Sequence, residues 1–340
     1  MKILGFDFAP LNIPLSRRLE TFSVFFFTCC FLFFGFGCFF FSLYVLLFTQ
    51  YYYLPLAYFA YYLYDRETPA RGGRRLQCFR QWKLWKYYAN FFPLKLIKTV
   101  DLDPKKNYIF GCHPHGILCY SHFGNFCTEG SGFSELFPGL TSYLTVLSGQ
   151  FMFPVFRDCF MLTGAVEVSK ESISYLLSKE TGGNAVCVIL GGASEALDAN
   201  PGNFTVRATK RKGFCRLALK YGASLVPVYS FGENNLFVQV TNPDGSRLRK
   251  FQDFCTKRLG FSPPIFHGRG IFNYNFGLIP YRHPVNSVVG APINIEKNEK
   301  PTMEEVDDLH DRYLKALTEL FEKYKVKYGV SENDHLVFKD

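Results

Sequence analysis

From Thr21 to Tyr64 the chain runs 44 residues without one Asp, Glu, Lys, Arg or His. A helix of about 20 apolar residues crosses a bilayer core of roughly 30 Å, so the stretch has room for two spans. The first is expected from Phe22 into the low forties, the second from the mid forties to Tyr64. A secretory leader has a core of only about 7–15 apolar residues and a small-residue cleavage site, and neither fits here. A single span with a re-entrant second half, or a hairpin buried in a soluble domain, are the alternatives.

Beyond Asp101 the hydrophobic pattern changes character. Asn107 to Gly111 reads as a strand ending at a turn, Lys170 to Lys179 as a helix, and Ala185 to Leu190 as a buried strand. Gly213 to Tyr221 reads as a short helix and Leu225 to Phe231 as a strand, which Pro227 limits to an edge or end position. Thr302 with Glu305 spells a capping box. Val306, Leu309, Tyr313, Leu317, Leu320 and Tyr324 then recur at helical spacing. Strands alternating with helices predict an α/β domain with a mostly parallel sheet, flanked by helices and preceded by a transmembrane helical hairpin. Such sheets bind ligands at the carboxyl ends of their strands. The division expected is 1–20, a cytosolic amino terminus; 21–64, the hairpin; 65–100, a basic and aromatic interfacial linker; and 101–340, a cytosolic catalytic domain. In the linker, Trp82 to Tyr88 reads as an amphipathic helix at the membrane surface.

Charge sharpens this picture. Lysines and arginines number 38 against 29 acidic residues, a net +9. Residues 1–100 hold 12 basic and 4 acidic side chains, and residues 101–340 hold 26 and 25. The excess therefore flanks the apolar segment, as expected for a membrane surface and not for a nucleic-acid binder. Arg17 and Arg18 before the segment, with Arg66, Arg71, Arg74 and Arg75 after it, place both flanks on the cytosolic side. The eleven cysteines show no C-x-x-C spacing, which argues against a disulfide framework and a zinc site. Asn203-Phe204-Thr205 is a glycosylation sequon, unused if the domain is cytosolic.

Chemistry concentrates at His113-Pro114-His115-Gly116, directly after a strand, where an α/β protein places a catalytic base. His122 would be a third histidine for a metal reading, but no carboxylate lies closer than ten residues to the pair and no metal is expected. A rival reading takes Gly192-Ala193-Ser194-Glu195-Ala196 as a lipase nucleophile elbow, with Asp244 and His267 or His283 completing a triad. Ala196 replaces the last elbow glycine, and Pro201 cuts short the helix that should follow. A third reading is a non-enzymatic, membrane-anchored lipid-binding protein.

The chain resembles, almost end to end, the acyl-CoA:monoacylglycerol and diacylglycerol acyltransferases of the non-MBOAT kind. The segments that carry the likeness are Tyr108 to Gly116, Pro154 to Arg157, Gly191 to Gly202, Arg211 to Phe214, Val226 to Asn234 and Ile265 to Gly270. Phe8-Ala9-Pro10-Leu11 is similar to the monoacylglycerol branch. The resemblance implies an endoplasmic reticulum enzyme with its catalytic domain facing the cytosol. It would esterify a glyceride hydroxyl, of monoacylglycerol or diacylglycerol, using fatty acyl-CoA, with no cofactor beyond that co-substrate. A long-chain alcohol is an alternative acceptor, and a homo-oligomer is compatible with the sequence. A looser likeness runs to glycerolipid acyltransferases with a His-x4-Asp signature; their histidine aligns with His113, and Leu118 stands at the aspartate position. A second departure is Phe91-Phe92-Pro93, where relatives often carry Tyr-Phe-Pro.

The residues expected to act are His113 or His115 as general base and Glu195 or Glu129 as the orienting carboxylate. Gly116 is expected to supply oxyanion N–H donors, and Arg157, Arg211 and Lys212 to meet the phosphates of CoA.

Overall fold

The structure, a computed structural model, describes every residue except Met1, Leu4, Leu11 and Phe261. Leu11, which closes the amino-terminal motif, therefore lies outside the described residues.

Seven strands form the central sheet: β1 (Lys95–Lys98), β2 (Tyr108–His113), β3 (Thr141–Val146), β4 (Ala165–Glu167), β5 (Asn184–Ile189), β6 (Ser224–Phe231) and β7 (Asn286–Val289), in the order β1-β7-β6-β2-β5-β3-β4. Every neighbouring pair is parallel except β6 with β7. β2 lies at the centre with all six residues buried, which is why it reads as an unbroken apolar run before its histidine.

Pro227 corrects one expectation, since β6 is interior. The carbonyl of Pro227 accepts the Gly290 N–H, so its nitrogen faces the β7 side. The β6–β7 ladder runs from Phe231 opposite Asn286 to Val228 opposite Val289 and stops one residue short of the proline. The missing donor thus falls past the end of the ladder.

The sheet divides two buried clusters. The helices α4 (Lys170–Leu177), α5 (Gly213–Tyr221) and α7 (Met303–Tyr324), the last of them following α6 (Arg247–Leu259) in the chain, contribute Leu176, Phe214, Tyr313 and Leu317 to one of them. α7 starts on the expected capping box, with Thr302 accepting the Glu305 N–H while Glu305 reaches back.

The amino-terminal helix α1 is unbroken from Leu15 to Phe48, 34 residues with a π-helical turn at Cys30–Phe34. It is the one described helix long and apolar enough to cross a membrane, and it spans about 51 Å. The chain turns at residues 49–52 and returns in α2 (Tyr53–Asp65), whose 13 residues reach only about 20 Å. The expected pair of similar spans is therefore one long helix and one short return. The third and fourth turns of α1 belong to the core: Ser23, Val24, Phe27 and Thr28 are buried, and Thr28 bonds Tyr120 through their hydroxyls at 2.7 Å. α3 (Lys83–Phe91), expected at the membrane surface, instead buries Trp85, Tyr88, Ala89 and Phe91 against α1.

Candidate functional site

The site gathers at the carboxyl ends of β2, β5 and β6, where the turn His113-Pro114-His115-Gly116 leaves the sheet through a cis His113–Pro114 bond. His113 is fully buried. Its Nε2 lies 3.0 Å from the hydroxyl of Tyr313 on α7, and that hydroxyl donates to the Gly111 carbonyl at 3.1 Å. A hydroxyl that spends its proton on Gly111 can only accept from His113, so His113 carries its proton on Nε2. Its Nδ1 is buried without a partner. Gly111 is a glycine for a local reason: a Cβ there would meet the Tyr313 hydroxyl.

His115 is half-buried. Its Nδ1 donates to the Gly116 carbonyl at 2.9 Å, which leaves the Nε2 lone pair as the basic position. Cys119 Sγ approaches the same ring at 3.5 and 3.6 Å. Burial pushes both histidines down, His113 to about 3 and His115 to about 4, so both imidazoles are neutral at physiological pH.

Two buried carboxylates grip the turn through its backbone. Glu195 accepts the His115 N–H at 2.6 Å and the Arg207 N–H at 2.7 Å, and burial raises it to about 7. Glu233 accepts the N–H groups of Tyr120 and Ser121, both at 2.9 Å, and burial raises it as well. Glu233 also packs on Gly116, which sits at φ +64° and where a Cβ would stand 2.6 Å from that carboxylate. Among the described residues no hydrogen-bond partner takes the Gly116 N–H. From beneath, His122 Nε2 donates to the Pro114 carbonyl at 2.8 Å, a fixing contact for the turn. A pocket of ≈ 370 Å³ opens beside Pro114, with Tyr229, Ser230, Asn234 and His283 in its wall.

The other expected site residues lie in different surroundings. Glu129 is committed to Arg80 at 3.2 Å, Arg75 at 3.5 Å and the Ser134 N–H, a structural ion-pair cluster. Arg157 is fully buried, paired with Asp65 at 2.7 Å and stacked over Tyr62, so its guanidinium is enclosed by its own chain. Lys212 pairs with Asp307 at 2.8 Å. Arg211 is exposed, its guanidinium beside the Gly191-Gly192 turn at the end of β5. The lipase constellation does not assemble: Ser194 donates to Gly191, Asp244 pairs with Lys339, His267 meets Tyr281, and His283 meets Asn235. Sequence reasoning missed Glu233 and Tyr313 as site residues. Glu233 stood in the block from Val226 to Asn234, an acidic residue just past a strand end. Tyr313 looked like one more apolar position of α7.

A sequence model described as diacylglycerol acyltransferase matches residues 44–339. The chain belongs to that family. It is 52% identical over 333 residues to 2-acylglycerol O-acyltransferase 1 of Bos taurus, covering 98% of this chain and 99% of that one. To the protein of the same name from Homo sapiens it is 49% identical over 336 residues, again covering 98% and 99%. To diacylglycerol O-acyltransferase 2 of Danio rerio it is 45% identical over 324 residues, covering 95% and 90%. Among solved structures, the 1-acyl-sn-glycerophosphate acyltransferase PlsC of Thermotoga maritima overlays loosely, with a TM-score of 0.40 and 12% identity over 90% of this chain and 97% of that one. The chain is thus an acyltransferase of lipid biosynthesis, and the histidine turn lies inside the matched region.

Proposed function

We propose that this acyltransferase moves a fatty acyl group from acyl-CoA to the free hydroxyl of monoacylglycerol, with His115 as general base. The observation that carries this reading is a neutral, half-buried imidazole whose Nδ1 proton is spent on Gly116 and whose Nε2, 3.6 Å from the Cys119 Sγ, carries the lone pair that can take another. Nε2 accepts the proton of the acceptor hydroxyl as that oxygen attacks the thioester carbonyl. General-base assistance of this kind is worth about 10²–10⁴ in rate. The Gly116 N–H is available for the oxyanion, and the tetrahedral adduct collapses with loss of CoA thiolate, which the imidazolium then protonates. Glu195 holds the His115 backbone in register and favours the transient imidazolium nearby. Arg211, at the rim beside Gly192, would meet a phosphate of CoA.

The enzyme sits in the endoplasmic reticulum membrane by α1 and the shorter α2, as a hairpin whose two ends face the cytosol. The relatives named 2-acylglycerol O-acyltransferase 1 support monoacylglycerol as acceptor; those named diacylglycerol O-acyltransferase 2, at somewhat lower identity, support diacylglycerol as the second reading. The test is an acceptor panel: purified protein with oleoyl-CoA and 2-monoacylglycerol, diacylglycerol or a long-chain alcohol. Turnover highest on 2-monoacylglycerol is expected, and preference for either other acceptor overturns the assignment. In the same assay Ser194→Ala keeps acyl transfer; its complete loss in a folded protein would favour the lipase reading.

A further inference from the structure

Residues 5–9 and the loop 269–278 are distant in sequence and build one surface. Phe8 bridges Asn273, Ala9 N–H donates to Phe272 O at 2.8 Å, and Tyr274 N–H donates to Asp7 O at 2.8 Å. Asn275 accepts the Asp7 N–H and donates to Gly5 O at 2.7 Å. These contacts are all polar, and they leave the large apolar side chains facing outward. Phe272 is 75% exposed and Phe276 60%, with Phe6, Phe8, Ile271 and Leu278 exposed around them. Phe6 and Phe276 meet edge to face at 6.3 Å. An isolated exposed phenylalanine needs no explanation, whereas an aromatic group built by dedicated backbone bonds from two separate segments does.

We propose that this platform seats on the headgroup region of an anionic bilayer leaflet. Two features select a lipid surface as the occupant. First, the platform leads directly into α1, whose Leu15 is 70% exposed, so it stands at the foot of the apolar helix. Second, an exposed cation stands beside it: Arg17 acts electrostatically on Arg269 and Arg282, of which Arg269 is itself buried over Tyr274 at 4.4 Å. Glu20, paired with Arg282, is the carboxylate bound to this group. Aromatic rings beside arginines match the composition of a membrane interface, where rings settle among headgroups and guanidinium groups meet phosphates. The platform also connects inward, since Phe266, next to His267, packs on Phe237 at 4.8 Å, and Phe237 on Tyr120 at 5.7 Å, beside the Glu233 clamp.

The test uses the full chain in vesicles, with a photoreactive benzoylphenylalanine placed singly at 272, at 276 and at the exposed Val337 as a control. Phospholipid adducts at 272 and 276 well above those at 337 are expected. Adding phosphatidylserine to phosphatidylcholine vesicles raises them about fivefold, the factor for one arginine meeting an anionic surface. Adducts no greater than at 337, or adducts to a second copy of the chain, overturn the proposal. The readout involves no turnover, so its outcome is independent of whether His115 is the base. F272S and F276S together serve as a second measure: they are surface changes that fold normally, and they abolish the phosphatidylserine-dependent part of the KM for vesicle-borne acceptor while kcat holds. An unchanged KM overturns the proposal equally.

Discussion

One proton decides what His115 can do. The Gly116 carbonyl fixes it on Nδ1, and burial keeps a second proton off Nε2 until about pH 4. An ordinary histidine would lose half its basic form at pH 6.5, so the acid limb of kcat/KM is expected well below that value. A pH–rate profile from about pH 4.5 to 8 checks this, and half-loss near pH 6.5 would contradict it. The same depression links stability to pH. The unfolded chain binds the proton more readily than the folded one, so this histidine's contribution, full above pH 6.5, fades as the pH falls toward about 4. The Tyr313 hydroxyl acts through His113, and Tyr313→Phe leaves a buried N–H unpaired at a cost of about 1–3 kcal/mol. In denaturant titrations, His113→Ala combined with Tyr313→Phe should cost less than the sum of the two, and strict additivity would separate the residues. Gly116→Ala drives a Cβ into Glu233 at a left-handed φ, and a fall of at least about tenfold in kcat is expected, with CoA-site affinity retained.

Among the elements, the strands and helices of the catalytic domain were legible wherever one pattern ruled. β5, α4, α5 and α7 fall within a few residues of their expected positions because apolar runs or helical spacing with caps mark them. β1 and β7, four residues each, were not legible, since pairing with distant strands defines them. The interfacial reading of α3 failed for a related reason. An amphipathic helix has one apolar face whether its partner is a membrane or another helix, and here the partner is α1. Arg157 shows the same ambiguity for charge, because an arginine after a proline looks alike whether it meets a phosphate or Asp65. The Asp65–Arg157 pair pins the end of α2 to the catalytic domain, and Asp65→Ala should destabilise the protein by about 3–5 kcal/mol by leaving a buried guanidinium without its carboxylate. Thermal unfolding in detergent measures this. Recovery of part of the loss in Asp65→Ala with Arg157→Leu is expected, and no recovery would argue against the pair.

At the scale of the molecule, a long apolar helix, long enough to cross a bilayer, is joined to an α/β domain, and the charge surplus of the first hundred residues flanks that helix. What the sequence did not announce was the depth of their union. The middle of α1 packs into the core of the α/β domain, and its Thr28 bonds Tyr120, whose N–H Glu233 holds, so the long helix and the candidate site are joined through side chains. If both ends of the hairpin face the cytosol, Asn203 stays unglycosylated in a membrane system that glycosylates luminal sites, and a glycan there would invert the topology. The two histidines of the candidate site could be found from a turn after a strand, but their different surroundings could not, because these rest on contacts from α7 and from Glu195 and Glu233, far along the chain. The most direct measurement is the acyl-transfer rate of His115→Ala in membranes, with oleoyl-CoA and 2-monoacylglycerol at saturation. A loss of about 10²-fold or more in a protein that remains folded and membrane-bound is predicted, and wild-type turnover would contradict the assignment.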